Sequence, residues 1–193
     1  MVGSVTITLV GCGSTPALIK SAPKALVLRL SQLPYPGFVA ETGSGNTGVI
    51  SNKTAAGGNH ALLRTYAREG RQSEYQATFQ RAVSPQEVIG PVVIESSAVR
   101  YGSEPGAQKG LAEAKTQLTN SGWSEISTGA LGAQSFGFTE TKALDQTEYQ
   151  SFVVDWRQAN VVNQIRVAGN AATMDLTYAL TLARVQQRAE VRS

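Results

Sequence analysis

Catalysis and metal binding need groups that can move a proton, attack a carbon or hold an ion, and this chain of 193 residues has few of them. It carries one histidine, His60, and one cysteine, Cys12. Any Ser-His-Asp relay must run through His60, yet no Gly-x-Ser-x-Gly elbow accompanies it. His60 stands in Gly57-Gly58-Asn59-His60, beside an expected helix start, where a surface or capping role is the plainer reading. One His, one distant Cys and scattered carboxylates leave no metal ligand set, and a lone Cys cannot close an intramolecular disulfide. No cofactor is expected. The residues left for recognition are Arg184, Arg188 and Arg192, spaced i, i+4, i+8 on an expected last helix, and the aromatics Tyr35 and Phe38. The arginines could hold an anion or an acidic membrane surface, and the aromatics, with Trp123 and Trp156, could line a pocket. The alternatives are a solvated helix face and ordinary core packing.

The chain has the length of one domain with a short extension, and its 41% apolar content is enough for one core. The formal charge of +3 is spread without a basic block, so no nucleic-acid partner is expected. Neutral polar residues outnumber the charged 16%. Ala25 to Leu30 reads as a first strand, Leu33 to Phe38 as a turn and Gly43 to Gly48 as a loop. A helix is expected from Asn52 to Glu69, weakened by Gly57-Gly58 and closed by Gly70 as a left-handed cap. Tyr75, Ala77 and Phe79 alternate with Glu74, Gln76 and Thr78 in a half-buried strand that Pro85 ends. Val88 to Tyr101 forms another. Ser103 caps a helix with Pro105 in its first turn and Ala107, Leu111, Ala114 and Leu118 on one face. Trp123 opens the next strand, and Ala133 to Thr141 follows it. Tyr149 to Trp156 and Val161 to Val167 pair about Ala159-Asn160, so that Phe152, Val154 and Trp156 face Val167, Ile165 and Asn163. A last helix, Ala172 to Glu190, turns Leu176, Ala179, Leu180 and Ala183 inward.

At the other end, Val5 to Val10 is apolar or β-branched and runs into Leu9-Val10-Gly11-Cys12. This resembles the bacterial lipobox, in which small residues admit the peptidase and the following Cys takes the lipid that anchors the mature protein. The resemblance implies a signal and lipobox over 1–12, with lipidation at Cys12 and removal of the residues up to Gly11, a tether over 13–24 with Pro16 and Pro23, and one domain over 25–190. No Lys or Arg lies in Met1 to Gly11. A start assigned too far downstream explains that, and a plain strand with a buried Cys explains the segment without processing. Gly11-x-Gly13 has no third Gly at Pro16 and is not a dinucleotide loop.

Strands, helix, long strands, helix, three strands, helix make an α+β order: a hairpin-linked antiparallel sheet flanked by helices, an α/β/α sandwich. The stretches Leu33-Pro34-x-Pro36-Gly37-Phe38, Gly70-Arg71-x3-Tyr75-x3-Phe79, Val93 to Gly122 and Arg157-Gln158-Ala159-Asn160-Val161-Val162 resemble those of extracytoplasmic PsbP-like domains. Similar order occurs in sensor-like domains of bacterial lipoproteins and receptor kinases. The resemblance implies a lipid-anchored, extracytoplasmic binding or scaffolding domain on the cell membrane, without catalytic activity. The alternatives are an accessory subunit of a membrane complex and a soluble enzyme using His60.

Overall fold

A computed structural model describes residues 17–42, 47–81, 89–144 and 147–190. Cys12 and the segment around it, residues 43–46 of the expected loop, Pro85 and Arg192 lie outside the described residues. Among the described residues, helix α1 (Pro23–Leu26) precedes strands β1 (Phe38–Ala40) and β2 (Gly48–Ile50), helices α2 (Asn52–Ala55) and α3 (His60–Glu69), and strands β3 (Arg71–Arg81) and β4 (Pro91–Tyr101). Helix α4 (Glu104–Asn120), strands β5 (Ser124–Ile126), β6 (Gln134–Leu144), β7 (Thr147–Gln158) and β8 (Val161–Asn170), and helix α5 (Leu176–Glu190) complete it. The strands form one antiparallel sheet in the order β1-β3-β4-β8-β7-β6-β5, with β2 also pairing β3. The fold is the expected α+β sandwich: α1 and α5 cover one face of the sheet, α3 and α4 the other.

The turn chemistry explains most boundaries. The two positive-φ glycines Gly57 and Gly58 split the single expected helix into α2 and α3, and Asn59 caps α3 by accepting from the amides of Ala61 and Leu62. Gly70 ends α3 with φ 72°, as expected. Ser103 accepts from the Gly106 amide at the start of α4. The β7–β8 hairpin turns at Ala159-Asn160, and Phe152, Val154 and Trp156 pair with Val167, Ile165 and Asn163. That register is the one expected from sequence.

One expected element is replaced. Ala25 to Leu30 is not a strand: Pro23 opens α1, the chain is extended at Val27, and Leu30–Gln32 is a 3-10 turn. Successive residues of a sheet strand point to opposite faces, whereas Leu26, Val27 and Leu28 all enter the one core beneath α5. The Leu28 amide donates to Ser96 Oγ, 2.9 Å away, and so is satisfied by a side chain instead of a ladder. Residues just before it are docked too: the Ile19 amide donates to Asn160 Oδ1 at 2.7 Å, and Arg100 donates to the Lys20 carbonyl at 2.7 Å.

Under α5 the core is extensive. Phe79, Ile94, Val154, Trp156, Ile165 and Val167 meet Ala179, Leu182 and Ala183 there. Leu176 and Leu180 pack at its margin, and the inner face of α5 continues to Gln186, which is fully buried. Ser96 Oγ donates to Gln186 Oε1 at 2.7 Å, and Gln186 Nε2 donates to the Ser97 carbonyl at 3.1 Å and Asn163 Oδ1 at 3.3 Å. Under α4 the apolar cluster is smaller: Tyr101, Ala107, Leu111, Phe136, Phe138 and Val162.

Candidate functional site

The small apolar cluster under α4 leaves the rest of that face to polar residues. Cross-strand partners share a face, so the register places Gln76, Ser97, Gln164 and Asp155 in one row across β3, β4, β8 and β7. Glu74, Val99, Val162 and Arg157 form the adjacent row. Three helices roof these rows. A cavity of about 350 Å³ lies between them, with Ser97, Gln164 and Asp155 on the sheet, Tyr66 on α3, and Glu113 and Ala114 on α4.

Two local devices build it. On a regular strand, residues three apart face opposite ways, but a bulge between Arg71 and Ser73 brings Arg71 to the face of Glu74. There its guanidinium lies 4.8 Å from the Tyr66 ring centroid, donates to Asn52 Oδ1 at 2.5 Å and pairs with the Glu74 carboxylate. The second device is the close seating of α4. A Cβ on Gly106 would stand 2.2 Å from the Glu69 carbonyl oxygen, and one on Gly110 would stand 2.0 Å from Tyr101 Oη. Only residues without a side chain let the helix approach this near.

The cavity is acidic. Glu74, Glu113 and Asp155 line it against a single cation, Arg71, which donates to Asn52 and pairs with Glu74. Burial raises the Glu74 carboxyl above the usual range, outweighing the Arg71 guanidinium that pulls it down. Burial likewise raises the Tyr101 hydroxyl far above an ordinary phenol. Glu69 behind the wall is raised by burial first and by Glu113 second. Asp155 is the extreme case, at 1% exposure. Its Oδ1 accepts from Gln164 Nε2 at 3.0 Å, while Oδ2 is buried with no hydrogen-bond partner among the described residues. Burial pushes its carboxyl up to about 7, against a smaller lowering by Gln164. Nearby Arg157 is engaged elsewhere, pairing with Glu104 at 2.6 Å and donating to Gln134.

The residues singled out from sequence lie elsewhere. His60 is exposed at the first position of α3 and does not line the cavity. Arg184 and Arg188 are exposed on α5, on the opposite side of the sheet. Phe38 is buried under the Arg81 guanidinium, 4.7 Å from its ring centroid, and Tyr35 packs edge-on against Tyr178 at 5.3 Å. Trp156 is fully buried in the α5 core, and Trp123 is half-buried under Arg166. The sequence pattern does not mark the cavity residues Asp155, Glu74, Tyr101 and Glu113 as a site. The signal for Asp155 is a carboxylate between Val154 and Trp156 in an apolar strand, where its alternate parity reads as solvent-facing. Among the described residues, no three His, Cys, Asp or Glu side chains converge as metal ligands. No described helix is long and apolar enough to cross a membrane.

No family model and no curated protein match the chain. Among solved structures, the extracellular domain of PknH from Mycobacterium tuberculosis is similar, with a TM-score of 0.60 and 11% identity over 89% of this chain and 95% of that one. At that identity the likeness establishes a shared fold.

Proposed function

We propose that this chain is a non-catalytic, extracytoplasmic binding domain, held to the membrane by a lipid on Cys12, and that its ligand sits in the cavity beneath α4. The observation that carries the binding role is Asp155: a buried carboxylate with one unpartnered oxygen is costly to stability unless the site uses it. The shared fold with an extracellular domain supports the location, and Leu9-Val10-Gly11-Cys12 supports the anchor. In this reading the PsbP-like likeness describes the sandwich, residues 1–12 are the signal and lipobox cut before Cys12, 13–24 lead from the anchor and dock on the domain from Ile19 on, and 25–190 are its body.

The cavity size suits a small molecule. A broad small-molecule library, read by thermal shift on wild type and on Ala114→Phe, tests the seat. Ligands that stabilise the wild type and lose that effect in the filled cavity support it. Ligands that stabilise both alike place binding elsewhere. For the anchor, mass spectrometry of the bacterial membrane fraction is expected to find an acylated Cys12 at the N-terminus, and Cys12→Ser is expected to release the protein. A mature chain retaining residues 1–11 with a free thiol overturns it.

A further inference from the structure

We infer that the cavity beneath α4 selects a small molecule bearing a protonated amine, which donates to Asp155 Oδ2 on the cavity floor. The inference rests on the proposed seat and names the class of molecule that fills it. Three features of the wall decide the sign of charge. Asp155 has one oxygen taken by the Gln164 amide and the other buried without a partner among the described residues. Arg71, the one cation of the lining, has its charge paired with the Glu74 carboxylate and also donates to Asn52, so an incoming carboxylate or phosphate would compete with Glu74 for it. Glu113 adds a second carboxylate from α4, half-buried and held by the Gln117 amide at 3.2 Å. An anion would face these two acids, whereas a cation would be drawn to them.

The shape of the cation follows from the same walls. A guanidinium presents a planar fork that matches two carboxylate oxygens, but Asp155 has one oxygen spoken for. An ammonium is a compact point charge with three donors and can use the single oxygen that remains. Tyr66 and Tyr101 supply aromatic wall and Val99 and Val162 aliphatic wall. A short alkyl chain behind the ammonium is therefore matched to the apolar share of the lining. A volume of about 350 Å³ leaves room for such a molecule.

The test is calorimetric titration of the full chain with 1,4-diaminobutane, n-butylamine, n-butyrate and n-butanol. The amines are expected to bind and the butyrate not to. Asp155→Asn keeps an oxygen for Gln164 and removes the charge, and it is expected to weaken diaminobutane about tenfold or more, the size of a lost hydrogen bond between charged groups. Glu113→Gln, a partly exposed change on α4, is expected to weaken it by about two- to fivefold. Equal binding of diaminobutane by wild type and Asp155→Asn overturns the role of Asp155. No binding of either amine, or butyrate binding as well as butylamine, overturns the amine class. The seat itself is judged separately, by the library and the Ala114→Phe control, so a failed class and a failed seat give different results.

Discussion

The two faces of the sheet are made from the same strands and differ in what their helices do. Under α5, apolar side chains from β3, β4, β8 and β7 close against Ala179, Leu182 and Ala183, and Gln186 bonds to Ser96, the Ser97 carbonyl and Asn163. Under α4, the same strands present Glu74, Ser97, Gln164 and Asp155, and the helices bridge them around a cavity. One face holds the molecule together. The other keeps a buried acid that an apolar residue of like size would stabilise. A domain that tolerates this on one side must be secured on the other, which is the arrangement found here.

The largest test of that contrast is Trp156→Ala. Removing the fully buried indole from the α5 core should cost about 3–5 kcal/mol in urea unfolding. An unchanged unfolding midpoint would mean that this face does not carry the stability. The mirror experiment is Asp155→Asn, with the opposite sign. The folded carboxyl holds its proton up to about pH 7, whereas an unfolded Asp loses it near pH 3.9. Between those values the folded state binds more protons, so the contribution of Asp155 to stability falls as pH rises from about 4 to 7 and is lowest above that. Asp155→Asn should therefore be near neutral at pH 4 and stabilising by roughly 2–4 kcal/mol at pH 8. A variant that is destabilised at pH 8 would show a carboxylate satisfied in the fold.

A smaller effect is expected at the close contact that seats α4. Gly106→Ala would drive a Cβ into the Glu69 carbonyl and should cost about 1–3 kcal/mol, with lost amide protection concentrated in α3 and α4 while α5 stays protected. Loss of protection across both helical layers would mean that the two faces unfold as one. The smallest effect belongs to His60→Ala. The imidazole is exposed and outside the cavity lining, so stability should stay within about 0.5 kcal/mol and diaminobutane titration should not change. An altered titration would draw α3's start into the site.

Local pattern was enough for most of the elements. Ser103, Pro105, Gly70 and Ala159-Asn160 are punctuation that acts within a few residues, and the register of Phe152, Val154 and Trp156 on β8 follows once the turn is placed. Ala25 to Leu30 misled because a short apolar run reads as a strand, while its burial on consecutive residues comes from lying across a sheet made by later segments. Nothing in the local pattern of α5 marks Gln186 as buried, for the same reason. Its partners Ser96 and Asn163 are 90 and 23 residues away.

By itself the sequence determined the α+β order, the alternation of each strand and the absence of a histidine- or thiol-rich centre, because these depend on residue type and short spacing. It did not determine which parity of a strand would meet a sealed core and which a cavity. Asp155 carries the same alternation whether its face is roofed or open to water. The roof depends on a bulge at Arg71 that re-aims one strand end and on Gly106 and Gly110 meeting Glu69 and Tyr101 from another element. Those contacts join residues distant along the chain, so the buried acid and its cavity exist only once the layers have packed.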